Sequence, residues 1–145
     1  YARPATRRVA DFIGVMNFLP ANILSEANGV VTVDVPGLGT VELQERQISR
    51  ANPDDDGPTI GFRPETMTLV TAGQPHNQPR ETEATIDEVV YYGDMTYYDL
   101  RLDDTAGSKT KPVRISMRNV FGRDVQSVGT RTKLAWSPGS LVLFR

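Results

Sequence analysis

The stretch TYYDLRLDD, Thr96 to Asp104, constrains the fold more than any other because it alternates. Tyr98, Leu100 and Leu102 fall on one face of an extended chain and Tyr97, Asp99 and Arg101 on the other. Such a strand has one dry side and one wet side. VRISMRN repeats the pattern, with Val113, Ile115 and Met117 opposite Arg114, Ser116 and Arg118. Short apolar segments of this kind, separated by Gly, Pro, Asn and Asp, run through most of the chain and predict an all-β barrel or sandwich. Strands are expected at 17–24, 29–35, 40–44, 59–63, 67–70, 83–92, 95–103, 112–119, 132–136 and 140–144. EVVYYGDMTYYDL reads as a tight hairpin with Gly93-Asp94 at its turn.

One short helix is expected before the strands, over 5–13. Pro4 suits a first helical position, Val9, Phe12 and Ile13 share a helical face, and Gly14 is placed to end the turn. The predicted organisation is a helical leader, 1–16, followed by one β domain, 17–145. The chain opens abruptly on YARPATRRV without methionine, which points to missing upstream sequence.

Charge and composition narrow the function. Sixteen basic and 18 acidic side chains leave a net charge near −2, so the broad positive field that a phosphate backbone requires is absent. Nucleic acid is therefore not an expected partner. The chain has no cysteine, which removes disulfides, thiolate nucleophiles and cysteine metal sites and suits a reducing compartment. No run approaches the ~18 apolar residues of a membrane helix.

Motifs that carry chemistry fail on inspection. LDDTAGSKT resembles a phosphate loop only loosely: Ser108 separates Gly107 from Lys109, and Leu102 stands where the first glycine belongs. NPDDDGPTIGFR fits the first half of a calcium loop through Asn52, Asp54, Asp56 and Gly57, but Arg63 replaces the required glutamate. An ordinary acidic turn accounts for it. His76 is the single histidine, too little for a multi-histidine metal site. Asp87-Glu88 and Asp103-Asp104 are neighbours whose side chains point to opposite faces of a strand, so adjacency does not make them an acid/base pair. No catalytic, cofactor-binding or metal-ligating residue is assigned.

Two features remain as candidates. Tyr91, Tyr92, Tyr97 and Tyr98 cluster on the hairpin with Asp94 and Asp99, and ring faces with carboxylates attract organic cations such as polyamines. Tyr91, Tyr97 and Asp99 are the candidate ligand or interface residues, although pleating divides the tyrosines between two faces. In TIGFRPETMTLV, Pro64 lacks an amide donor and forces Arg63 to be extended, which ends one strand and turns the chain. Arg63 and Glu65 are candidates for contacts with a partner domain.

Taken together, YARPATRRVADFIGVMNFLPANIL, IGFRPETMTL, VVYYGDMTYYDLRL and VGTRTKLAWSPGSLVLF resemble, in order, the TOBE domain that follows the ATPase domain in ABC-transporter ATP-binding subunits. Phe62 stands where that family more often has a small aliphatic residue. The resemblance implies an oligonucleotide/oligosaccharide-binding-like (OB-like) β-barrel with additional strands. It also implies a non-catalytic regulatory and dimerisation role in an importer, of polyamine or ferric-iron type. ATP and Mg would belong to the ATPase domain upstream of Tyr1. The implied partners are a second copy, the chain's own ATPase domain and transmembrane permease subunits, at the cytoplasmic face of a bacterial plasma membrane. A module sensing a polyamine or an oxyanion is the alternative.

Overall fold

A computed structural model describes residues 16–49, 57–71, 75–103, 112–120 and 125–145. The helix expected over 5–13 lies outside them, as do Asn52, Asp54, Asp56 and the stretch Gly107 to Lys109. The described chain is all-β: its helical content is confined to three single 3-10 turns, Glu45–Gln47, Pro64–Thr66 and Pro138–Ser140. Two compact units divide it, Tyr1–Arg63 with Pro138–Arg145, and Pro64–Ser137.

The first unit holds two sheets. Strands β1 (Asn17–Pro20), β2 (Asn22–Ala27), β3 (Val30–Val35), β4 (Gly39–Gln44), β5 (Ile48–Ser49), β6 (Thr59–Phe62) and, from the far end of the chain, β12 (Val142–Phe144) assemble as β1-β6-β12-β5 and β2-β3-β4. The segment expected as one strand, 17–24, is split. Pro20 ends β1, Ala21 N–H donates to Pro58 O at 3.0 Å, and the chain continues in the other sheet. Asn28 and Gly29, at φ +54° and +77°, make the two-residue turn between β2 and β3. Positive φ at both central positions is the hairpin geometry that matches strand twist, and Asn-Gly is its favoured pair. Alternation in β3 buries Val31, Val33 and Val35. Buried Gln47 ties the C-terminal turn down, its Nε2 donating to Pro138 O and Leu141 O at 2.8 and 3.0 Å.

The second unit is one five-stranded sheet, ordered β10-β9-β8-β11-β7. Its strands are β7 (Thr68–Leu69), β8 (Arg80–Tyr92), β9 (Met95–Leu102), β10 (Pro112–Arg118) and β11 (Arg131–Trp136). The edge strands β7 and β10 approach each other, and the Pro64–Thr66 turn packs on β10, so the sheet curls toward closure. Faces divide as the sequence predicts. Tyr98, Leu100, Leu102, Val113, Ile115 and Met117 are buried, while Arg101, Arg114 and Arg118 are exposed. Trp136 is fully buried, donates from Nε1 to Thr82 Oγ1 at 2.8 Å, and carries the Arg80 guanidinium 4.6 Å from its ring centre.

Candidate functional site

The hairpin β8–β9 turns at Gly93-Asp94 as expected, with Gly93 at φ +65° and Tyr92 opposite Met95. Before the turn, the ladder slips between Ile86 and Glu88. Counting by twos from the buried pair Ala84 and Ile86 would send Glu88 and Val90 inward. The bulge inserts one residue and reverses the count, so Glu88 joins Asp99, and Val90 joins Tyr97, on the outer face. A carboxylate is thereby kept out of the core.

This outer face carries an open depression of about 340 Å³ lined by Glu88, Val90, Tyr97, Asp99 and Arg114. Arg114 donates from Nε and Nη2 to the two Asp99 oxygens at 2.8 and 3.2 Å, the forked geometry that fits guanidinium to carboxylate. That bond raises the Arg114 pKa above its ordinary value, with partial burial opposing. Neighbouring cross-strand pairs are Arg101 with Asp87, through Nε at 2.8 and 2.9 Å, and Arg118 with Asp94 at 3.1 Å. Arg131 bridges Glu83 and Asp103, and its pKa is raised first by the bond to Asp103.

The candidate residues therefore separate. Tyr97 and Asp99 share the depression, whereas Tyr91, 65% exposed, lies on the opposite side of the strand with Thr96 and Tyr98. Arg63 and Glu65 stand where the chain passes from one compact unit to the other: Arg63 is half-buried, Pro64 is buried and Glu65 is exposed. His76 is held in its loop, with Nε2 at 2.7 Å from Glu81 and Nδ1 accepting from Gln78 N–H at 3.1 Å. Sequence reasoning missed Glu88 and Arg114 as parts of the depression. Arg114 reaches the depression only through its cross-strand pairing with Asp99, and that pairing is set by the fold. Among the described residues, no cluster of three or more His, Asp or Glu has the arrangement of a metal site.

The TOBE domain family model matches residues 60–144, from β6 through the whole second unit to β12. The chain belongs to the TOBE domain family. Relatives include spermidine/putrescine import ATP-binding proteins. One from Nitrosomonas eutropha is 32% identical over 71% of this chain and 28% of its own length, and one from Pseudomonas fluorescens is 35% identical over 72% and 27%. An sn-glycerol-3-phosphate import ATP-binding protein from Chromohalobacter salexigens is 40% identical over 62% of this chain and 20% of its own length. The chain thus corresponds to under a third of each of these relatives. A solved structure of a cytoplasmic molybdate-binding protein, with molybdate bound, shares the fold at TM-score 0.53 and 12% identity, covering 98% of both chains.

Proposed function

We propose that this TOBE-family chain is the regulatory and pairing domain of an importer's ATP-binding subunit of the ABC class. The observation that carries the reading is the family match across residues 60–144, together with relatives that are import ATP-binding proteins several times its length. The domain does no chemistry itself. ATP and Mg bind an ATPase domain elsewhere in the subunit, permease subunits are its further partners, and the subunit works at the cytoplasmic face of the plasma membrane. The curled five-stranded sheet of the second unit serves as an OB-like barrel, a frame that carries function on its outer face and loops. Arg63 and Glu65 are the proposed contacts to a partner domain, and a second copy is the proposed twin. Light scattering of the full-length subunit over a concentration range, with crosslinking of its C-terminal portions, is expected to show dimers. A strict monomer with separated C-terminal portions overturns the reading.

The outer depression favours a second reading, a sensor for a small ligand. Tyr97 offers a ring face and Glu88 a carboxylate, while the one guanidinium there is already held at both ends by Asp99. A polyamine fits this arrangement better than an oxyanion, because an ammonium is attracted by both the ring and the carboxylate. Calorimetry against putrescine, spermidine and molybdate decides it. No heat with millimolar ligand removes the sensor reading.

A further inference from the structure

The inner side of the β8–β10 region opens to a second, smaller pocket of about 100 Å³ in the second unit. Leu69, Met117 and Val125 form apolar walls, and two exposed side chains, Tyr91 and Val120, are among its lining residues. The polar groups are unequal. Thr96 Oγ1 donates to Asn119 Oδ1, and Tyr98 Oη accepts from Gln126 N–H at 3.2 Å. Thr71 Oγ1 is buried without a hydrogen-bond partner among the described residues. A buried hydroxyl left unpaired is rare in folded proteins, because it gives up water and receives nothing in exchange. Thr71, which carries this hydroxyl, is also among the residues that line the pocket.

We propose that this pocket binds a small, uncharged polyol, with Thr71 as the hydroxyl that recognises it. Three observations choose the class. Among the described residues that line the pocket none is charged, so an ammonium or an oxyanion would lose its hydration with no counter-charge from them. The volume is about two thirds of the ~150 Å³ cavity that accommodates benzene, which suits roughly four to six non-hydrogen atoms. Apolar walls take the carbon chain, and Thr71 and Asn119 are the lining residues that bring a hydroxyl and an amide to it. The site is independent of the outer depression, and it does not rest on the transporter reading.

The test is a titration of the folded chain followed by amide correlation spectra, using glycerol and 1,2-propanediol, with putrescine and molybdate as charged counterparts. Saturable shifts at Thr71, Thr96 and Asn119 are expected with the polyols, with half-saturation on the order of millimolar for so few atoms. The charged probes leave these amides unmoved. Thr71→Val is expected to weaken polyol binding roughly two- to tenfold while leaving the polyol-free melting midpoint unchanged or higher, since it removes an unpaired buried hydroxyl. Val120→Trp, at an exposed position, is expected to abolish saturation by filling the pocket. Shifts that stay linear in polyol, a Thr71→Val variant that binds like the parent, or a lower polyol-free midpoint for that variant would overturn the proposal.

Discussion

Replacing Thr82 by valine asks how much the hydrogen bond beneath Trp136 contributes. The indole is fully enclosed, its N–H donates to Thr82 Oγ1 at 2.8 Å, and Thr82 is buried as well. Valine keeps the shape of threonine, so no cavity opens and the change isolates the hydroxyl. Two effects then oppose each other. The indole N–H loses its acceptor where water does not reach it, at a cost of about 1–3 kcal/mol. The methyl group that replaces the hydroxyl contributes about 0.8 kcal/mol in the other direction. The net expectation is a destabilisation of roughly 0.5–2 kcal/mol. Trp136→Phe costs more by itself because it empties part of the core, yet in that background the hydroxyl has no indole to serve. Adding Thr82→Val there is expected to be neutral or slightly stabilising, and the double-mutant cycle reports the coupling directly. Urea unfolding followed by far-ultraviolet circular dichroism suits the measurement, since the only tryptophan is among the positions changed. Equal costs in the two backgrounds, or a parent stabilised by valine, would refute the reasoning.

Other positions give sharper local tests. At Gly61 an added Cβ would stand 2.7 Å from a Phe144 ring carbon and 2.9 Å from Met16 Cε, beneath the edge-to-face pair of Phe18 and Phe144. Gly61→Ala is expected to lower stability by about 1–3 kcal/mol in chemical unfolding, and an unchanged midpoint would mean that the rings yield freely. Gly93→Ala meets nothing within 4 Å but forces φ +65° on an L-residue, so a loss of roughly 1–2 kcal/mol is expected and D-alanine should restore it. Arg114→Gln breaks a largely exposed pair and is expected to cost no more than about 1 kcal/mol. Because pairing raises the Arg114 pKa, its stabilisation is present below the ordinary arginine value and is lost only as pH rises through the higher folded value. The gap between parent and variant midpoints should therefore stay constant from about pH 6 to 10, and a slope across that range would contradict the pairing.

What could be read from sequence follows from how local each signal is. Strands β9 and β10 were legible because their pleat separates a buried face from a wet one, and residue type records that separation every second position. The Gly93-Asp94 hairpin was legible because its turn chemistry is contained in two residues. Segment 17–24 was not, since its two halves pair with β6 and with β3, and nothing within the segment names those distant partners. Ile48–Ser49 is too short to show a period and exists through its parallel pairing with β12, almost a hundred residues away. The bulge at Asp87 was equally hidden, although it decides that Glu88 faces Asp99. Of the tyrosine group, the division between faces was foreseeable, but which tyrosine met which carboxylate depended on that one-residue slip.

The position of β12 sets an order of events for a chain made from its N-terminus. In the sheet β1-β6-β12-β5, the last strand lies between β6 and β5, joining the one on an antiparallel edge and the other on a parallel edge. Every strand of the Pro64–Ser137 unit has been synthesised before this strand exists. During translation the later segment is therefore expected to acquire structure first, and the earlier one waits for its final tripeptide. Chains truncated after residue 137 and released are expected to resist protease within 64–137 while 16–63 is still cleaved; resistance confined to 16–63 would reverse that order. Strand β12, made after the whole second unit, is the latch of the first.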